Sequence, residues 1–191
     1  MKLVLASSSP FRKALLEKLH LQFVTDSPDI DETPLVNESI ENMVKRLSEG
    51  KARALVEKHP ESLIIGSDQS AALNGKVLHK PGNYEVAFEQ LKAASGQTIT
   101  FYTGLCLLDS KTGKAETICE PFIVKFRKLS DSEIENYLKK EEPYNCAGSF
   151  KSEALGISLF ESMQGTDPNT LIGLPLIQLC RMLKENDCAV I

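Results

Sequence analysis

The spacing of apolar residues changes several times along the first half of the chain. Residues 3–6 are an unbroken apolar run, which predicts a strand. The next segment has helical spacing, with one apolar side made of Phe11, Leu15, Leu16 and Leu19. A second, longer helix is predicted over about 40–56, and residues 63–69 predict a short buried strand that ends in a loop. An acidic loop at 26–34 separates these strand and helix units, which are typical of an α/β fold.

Turn and cap signals divide the second half. Asn74-Gly75 lies between two apolar runs and predicts a β-hairpin. Asn83 is placed to cap a helix that ends before Gly96, and SDSE at 130–133 is a capping box for another helix. TITFYTGLCLLD and ETICEPFIVKFRKL predict two long strands paired across a turn near 111–114, and Pro175 predicts the start of a last helix. Together these elements predict a mixed sheet with flanking helices.

Composition narrows the classes of protein. A chain of 191 residues with 42% hydrophobic residues is long enough for a core and predicts one domain over 1–191, with room for two lobes. The net charge of −4 gives no general attraction to nucleic acid or to an anionic membrane, so a phosphate site has to be local.

Localisation follows from the cysteines and the first residues. The chain shows neither a signal peptide pattern nor an apolar stretch of membrane-spanning length. Five cysteines, an odd number without a C-x-x-C pair, favour reduced thiols in the cytoplasm, with Cys106 and Cys180 in the core. The scattered histidines argue against a zinc site.

The segment ASSSPFRK at 6–13 has an unusual charge pattern for the start of a helix. Its serines and Pro10 suit a helix N-terminus, yet Arg12 and Lys13 place two cations where the helix dipole is already positive. Free backbone N–H groups, hydroxyls and two cations would bind a phosphate chain together. The alternative is that both cations point into solvent.

Two further charged residues lie in apolar surroundings. Lys51 falls within the apolar side of the helix at 40–56, so it either extends to the edge of that side or enters a polar cleft. Asp68 follows a buried apolar run, a frequent position for ligand groups in α/β sheets, although an aspartate there also suits an ordinary turn.

A polyphosphate site is the interpretation that joins these residues. Two carboxylates, Glu32 and Asp68, would bind a divalent ion and position water, while cations hold phosphate oxygens. The cations in question are Arg12, Lys13, Lys51, Lys80 and Lys151. The chain has neither G-x-x-x-x-G-K-[ST] nor G-x-G-x-x-G, which argues against a P-loop NTPase and a dinucleotide enzyme.

An ordered series of motifs resembles the Maf nucleotide pyrophosphatases from end to end. The matching segments are LASSSPFRK, the DE of DIDETP, GKA at 50–52, GSDQ at 66–69, HKPG at 79–82, FYTG at 101–104 and CAGSFKSE at 146–153. The YceF-like branch, whose members hydrolyse 7-methyl-GTP to its monophosphate and pyrophosphate, is the most similar. The resemblance implies an α/β fold related to the inosine triphosphate pyrophosphatases, with two lobes around a cleft, and a divalent cofactor, Mg²⁺ or Mn²⁺.

The same resemblance implies roles for individual residues. Asp68 matches the proton acceptor, and the positions that match the active site are Ser7, Arg12, Lys13, Glu32, Lys51 and Lys80. Those that match the determinants of base preference are Phe11, Gln69 and Glu153. For Phe11 a place in the helix's apolar side is the alternative. The chain departs from the family pattern at Lys13, where the second arginine of S-x-S-P-R-R is replaced, and at His79, where many relatives have glycine.

Three functions remain in competition at this point. The first is hydrolysis of 7-methyl-GTP, as housecleaning of the nucleotide pool. The second is the same reaction on other nucleotides such as UTP or dTTP, and the third is a nucleotide-binding regulator of cell division without turnover. The presence of both Glu32 and Asp68 favours an enzyme, because binding alone needs cations more than a base. A small-molecule nucleotide is the expected partner, with both a monomer and a homodimer left open.

Overall fold

The computed structural model of the chain describes residues 2–191. The first strand, β1 (Lys2–Ala6), leads into the first helix, α1 (Pro10–Glu17), as the sequence predicts. Ser9 is the N-cap of α1 and accepts a hydrogen bond from the Arg12 N–H, and Pro10 occupies the first turn, where no N–H is needed. The chain then forms β2 (Phe23–Asp26), a loop, and α2 (Ile40–Arg53), which Ser39 caps.

The remaining elements agree closely with the turn and cap signals. Strand β3 (Ser62–Leu73) turns at Asn74-Gly75, both with positive φ, into β4 (Lys76–Leu78). Asn83 caps α3 (Tyr84–Ala94), and the long strands β5 (Thr98–Asp109) and β6 (Ala115–Phe126) follow. Ser130 and Glu133 form the capping box of α4 (Asp131–Glu141). The chain ends with β7 (Phe160–Gln164), α5 (Asn169–Ile172) and α6 (Leu176–Glu185).

The strands form one mixed sheet of seven strands, in the order β2-β1-β3-β5-β6-β7, with β4 paired to β3. Strand β1 is parallel to both β2 and β3, whereas β4 is antiparallel to β3 and β7 is antiparallel to β6. The predicted fold class, an α/β protein with a mixed sheet and flanking helices, is confirmed.

The chain divides into two compact units. The first unit comprises 1–69, 103–120 and 167–191, and the second comprises 70–102 and 121–166. The first unit has a core in which α1 and α6 pack on β1, β3 and β5, through residues such as Leu5, Leu16, Ile65, Leu105 and Leu179. Four phenylalanines, Phe101, Phe126, Phe150 and Phe160, pack edge to face in the second unit, with ring centroids 4.9–5.5 Å apart.

Glycines in β3 and β5 allow α2 to lie directly on these strands. A Cβ atom on Gly66 would lie 2.0 Å from the Ser48 carbonyl oxygen, and one on Gly104 would lie 2.3 Å from the Val44 carbonyl oxygen. Any side chain at either position would therefore push the helix away. The close approach brings the Ser48–Lys51 turn of α2 onto the middle of β3.

The structure corrects four details of the sequence analysis. Strand β2 was not predicted, and β3 runs on to Leu73, so Asp68 lies within a strand rather than at its end. Phe11 is 37% exposed, so it does not belong to the buried side of α1 formed by Leu15 and Leu16. Cys106 is in the core as predicted, but Cys180 is only partly buried.

Among residues 2–191, no helix is long and apolar enough to cross a membrane.

Candidate active site

A buried ammonium group between two carboxylates forms the centre of the first unit's candidate site. Lys51 of α2 is only 8% exposed, and its Nζ lies 2.6 Å from Asp68 Oδ1 and 2.9 Å from Glu32 Oε1. Glu32 comes from the loop between β2 and α2 and is largely exposed, whereas Asp68 is buried. Lys51 therefore enters a polar site rather than extending to the edge of the helix's apolar side, and three predicted catalytic residues meet.

The position of Asp68 depends on how far β1 extends beside β3. The last residue pair of β1 with β3 is Ala6 with Gly66, so β3 continues past the end of β1 and Asp68 lies two residues beyond it. The prediction that Asp68 lies at the end of its own strand is therefore wrong, although Asp68 does lie beyond the end of the neighbouring parallel strand β1. Its backbone N–H donates to Ser48 Oγ at 2.9 Å.

Arg12 lies in the electrostatic field of the same carboxylates. Its Nε donates to the Gly173 carbonyl at 2.9 Å. Burial lowers the pKa of the Arg12 guanidinium, while the negative charges of Asp68 and Glu32 act in the opposite direction. Arginine stays protonated in proteins, so a second positive charge acts on the Glu32 and Asp68 carboxylates.

The other residues of the α1 N-terminus have different surroundings. Ser7 is buried, and its Oγ accepts the Ser9 N–H at 3.1 Å. Lys13 is exposed, and its Nζ lies 3.9 Å from Glu17 Oε1, one turn further along α1. The structure thus pairs Lys13 with Glu17 on the outside of the helix, and the phosphate-binding roles of Ser7 and Lys13 stay predictions.

Gln69 and Phe11, the first unit's two predicted determinants of base preference, differ in how they are held. The Gln69 Nε2 donates to Thr103 Oγ1 at 2.9 Å and to the Thr170 carbonyl at 2.8 Å. Its NH₂ group is therefore engaged within the protein. Phe11 leaves part of its ring exposed, next in sequence to Arg12. Their roles toward a base stay predictions.

Lys80, Lys151 and Glu153 belong to the second unit. Lys80 is exposed in the loop before α3, and Glu153 is an exposed carboxylate whose Oε2 accepts from Ser152 Oγ at 3.3 Å. Lys151 Nζ donates to the Glu141 carbonyl at 2.8 Å, at the end of α4. His79 is not among the residues with positive φ, so the loop before Lys80 does not require the glycine of the family pattern.

The sequence analysis missed the groups that hold these side chains. Ser48 anchors the Asp68 backbone, and the Gly173 carbonyl accepts from both Arg12 Nε and Ser67 Oγ. Gly66 and Gly104 within apolar strands were a signal of close backbone approach. Ser48 and Gly173 gave no such signal, because each acts on a residue distant in sequence.

The donor set of the site fits a divalent cation. Glu32 and Asp68 each place one carboxylate oxygen within 2.9 Å of the Lys51 ammonium group, so the two carboxylates lie near each other. Within residues 2–191 no group of three or more His, Cys, Asp or Glu side chains is arranged to hold a metal. Mg²⁺ commonly binds through one or two carboxylates and completes its coordination with water and substrate phosphates. Two carboxylates are therefore enough for such an ion.

Comparisons with known proteins show what this chain is similar to. A 7-methyl-GTP pyrophosphatase from Nitrosococcus oceani is 56% identical over 183 residues, which cover 96% of this chain and 92% of the relative. A crystal structure of a nucleoside-triphosphatase/dITP/XTP pyrophosphatase from Mycobacterium abscessus is similar over 68% of this chain and 76% of that chain, with 19% identity and a TM-score of 0.42. The family model described as Maf-like protein matches residues 2–186. The chain belongs to the Maf-like protein family.

Proposed function

We propose that this chain hydrolyses 7-methyl-GTP to 7-methyl-GMP and pyrophosphate. The observation that carries the proposal is the cluster of Lys51 with Glu32 and Asp68, faced by the Arg12 charge. The 56% identity to a 7-methyl-GTP pyrophosphatase over nearly the whole chain supports the choice of substrate. The same proposal includes the cytoplasm as the location, on the ground of the odd number of cysteines.

Asp68 acts as the base in the proposed reaction. Lys51 holds its Oδ1 at 2.6 Å, which leaves Oδ2 to orient a water molecule and take its proton. The water oxygen forms a bond to the α-phosphorus, the bond from that phosphorus to the α,β-bridging oxygen breaks, and pyrophosphate leaves with the electron pair. Arg12 and Lys51 offset the charge that develops on the leaving pyrophosphate.

A divalent ion, Mg²⁺ or Mn²⁺, would be held by Glu32 and Asp68 together with the phosphates. When bound, it neutralises phosphate charge and polarises the phosphoryl group. Ser7, Lys13, Lys80 and Lys151 are proposed as further phosphate contacts. A methylated guanine carries a delocalised positive charge, which favours stacking on the exposed Phe11 ring and contact with the Glu153 carboxylate, beside the Gln69 amide.

The test is pyrophosphate release with Mg²⁺ or Mn²⁺ from a panel of 7-methyl-GTP, GTP, UTP and dTTP. We expect kcat/KM for 7-methyl-GTP to exceed that for GTP by roughly 10- to 100-fold, which corresponds to about 1–3 kcal/mol. Asp68→Asn serves as the control and is expected to lower kcat by about 100-fold or more while the substrate still binds.

The outcomes separate the competing functions. Equal activity on GTP, UTP and 7-methyl-GTP contradicts the substrate while leaving the pyrophosphatase reaction in place. Tight nucleotide binding without pyrophosphate release from any member of the panel supports a binding regulator instead. Near-normal kinetics in Asp68→Asn contradict the role given to that carboxylate.

A further inference from the structure

One buried hydrogen-bonding group beside Asp68 has no role in the reaction described above. Ser48 lies on α2 and is 0% exposed. Its Oγ donates to the Val44 carbonyl at 2.6 Å and accepts the Asp68 N–H at 2.9 Å. The hydroxyl hydrogen is committed to the helix, so an oxygen lone pair is aimed at the backbone of the proposed base.

This bond lies where β1 has ended. The pairing of β1 with β3 stops at Ala6 and Gly66, two residues before Asp68. A buried backbone N–H without an acceptor costs about 1–3 kcal/mol, so such donors are almost always paired. At Asp68 the acceptor is a side chain of α2 rather than the carbonyl of a strand. One of the contacts that hold the backbone of the proposed base therefore comes from the helix.

The surrounding chain is built for this contact. A Cβ on Gly104 would lie 2.4 Å from Ser48 Oγ, and a Cβ on Gly66 would lie 2.0 Å from the Ser48 carbonyl oxygen. Glycine at 66 thus makes room for the helix backbone at Ser48, and glycine at 104 makes room for its hydroxyl. Lys51 follows Ser48 by three residues, which places both on one face of α2. One helical turn therefore holds the Asp68 backbone through Ser48 and its carboxylate through Lys51.

We propose that Ser48 is a positioning residue for Asp68 in the hydrolysis. This inference rests on the proposed function, since it assigns Ser48 a role through the base of that reaction. Loss of the hydroxyl leaves the buried Asp68 N–H without its acceptor, which shifts the strand locally and misaligns the carboxylate with the attacking water. Misplacement of a reacting group by about 1 Å can lower turnover by about 100-fold, so we expect a loss of about 10- to 100-fold here. Nucleotide binding depends mainly on the cations, so KM changes far less.

The experiment measures kcat, KM and Tm for Ser48→Ala, with Ser62→Ala as the matched control. Ser62 is a buried serine of β3, the strand that also carries Asp68. Its Oγ donates to the Pro60 carbonyl at 3.1 Å, away from Asp68. We expect Ser48→Ala to lower kcat by about 10-fold or more with KM within about 3-fold. Ser62→Ala is expected to keep the wild-type kcat, even where it lowers Tm.

A double-mutant cycle with Asp68→Asn tests whether Ser48 acts through the base. Residues that act as a unit are strongly non-additive, so Ser48→Ala should lower the residual kcat of Asp68→Asn by less than about 3-fold. The full effect of Ser48→Ala in that background, or a wild-type kcat in Ser48→Ala alone, overturns the inference.

A second variant covers the case in which Ser48→Ala does not fold. Ser48→Cys keeps the shape of the side chain but replaces oxygen with sulfur, a weak acceptor, so kcat should fall in the same way. A folded Ser48→Cys protein with wild-type kcat overturns the inference. An inactive wild-type protein would instead contradict the proposed function, which keeps the two failures distinguishable.

Discussion

At the scale of single residues, the site depends on how one ammonium group balances two carboxylates. The Lys51 Nζ lies within 2.9 Å of a carboxylate oxygen of both Glu32 and Asp68. The Lys51 side chain is more buried than that of Glu32. The three residues are not neighbours in sequence, because they come from a loop, a helix and a strand. The charge balance therefore exists only in the folded chain.

Replacement of Lys51 by methionine tests this balance. Lys51→Met keeps the length of the side chain but leaves the buried Asp68 carboxylate without its hydrogen-bonded cation, so we expect the free energy of unfolding to fall by about 3 kcal/mol. We also expect kcat/KM to fall by about 100-fold or more, because the cation that holds Asp68 and offsets phosphate charge is lost. Chemical denaturation and pyrophosphate release on one preparation measure both.

The double variant Lys51→Met/Asp68→Asn is the control for this prediction. It removes the buried Asp68 charge as well, so stability should return toward that of the wild type while activity stays low. If Lys51→Met alone loses stability but keeps the wild-type kcat/KM, Lys51 has a structural role only, and the proposed role in phosphate binding is wrong.

Sequence patterns predicted the charged residues of the site better than the groups that hold them. Lys51 was visible because a cation on an apolar helix side is unusual, and Arg12 because a cation at a helix N-terminus is unusual. Ser48 and the Gly173 carbonyl were not visible. Their partners, Asp68 and Arg12, are 20 and 161 residues away along the chain, and no local pattern encodes such distances.

At the scale of elements, Arg46 clamps the loop that carries Glu32. The Arg46 Nε and Nη2 donate to the two Glu38 carboxylate oxygens, both at 2.7 Å, and Nη2 also reaches the Thr33 carbonyl at 3.2 Å. Thr33 is the neighbour of Glu32, so α2 fixes both the Lys51 ammonium and the loop opposite it. A bidentate contact of this kind is specific to arginine.

Loss of the clamp should affect the reaction more than the fold. Arg46→Gln is expected to lower kcat/KM by about 3- to 10-fold and to speed proteolysis within 27–39, because Glu32 is less well placed. Arg53→Gln is the matched control, since Arg53 pairs with Glu49 at 2.7 Å on the same helix. Equal kinetics and equal proteolysis in both variants would show that the clamp does not position Glu32.

The capping box of α4 makes a pH-dependent contribution to stability. Hydrogen bonds from the Ser130 N–H and from Arg127 lower the pKa of Glu133 from 4.5 to about 2. A carboxyl whose pKa is lower in the folded state stabilises the protein above its unfolded pKa, and this contribution is lost as the pH falls toward the folded value. The contribution of the Glu133 charge should therefore disappear between about pH 5 and pH 2.

Glu133→Gln tests this dependence, because glutamine keeps the cap hydrogen bond and removes the charge. We expect the Tm difference between wild type and Glu133→Gln to be constant above about pH 5 and to shrink as the pH approaches 2. Glu135→Gln removes a carboxylate from the same helix without touching the cap and serves as the control. A Tm difference that grows as the pH falls contradicts the assignment.

Elements with local sequence signals were predicted. Strand β2 and the full length of β3, which depend on pairing with neighbouring strands, were not. The hairpin at Asn74-Gly75 and the cap at Asn83 need only their own residues, and both are confirmed. Strand β2 has four partly or fully exposed residues and little apolar pattern, and it exists because it pairs with β1. The length of β3 was underestimated because its second half pairs with β4.

At the scale of the whole molecule, the family match runs through both compact units. It covers residues 2–186, whereas the first unit alone holds Arg12, Glu32, Lys51 and Asp68. The second unit holds Lys80, Lys151 and Glu153. The proposed activity is therefore assigned to the full chain, and its test has to use the full chain.

Stabilisation of the whole chain by its substrate is the last prediction. A ligand that binds only the folded state stabilises it by about 2.7 kcal/mol at 100 times its Kd, and 1 kcal/mol shifts the Tm of a chain of this size by about 2–4 °C. In Asp68→Asn, which is expected to bind the substrate with little turnover, 7-methyl-GTP at that concentration should raise Tm by about 5–10 °C. At the same concentration GTP should raise it less, because an uncharged guanine stacks less strongly on an aromatic ring such as Phe11.

Glu153→Ala in the same background should reduce the difference between the two nucleotides, and Glu161→Ala, which removes another exposed carboxylate of the second unit, should not. Equal shifts with both nucleotides in Asp68→Asn would contradict the preference for the methylated base.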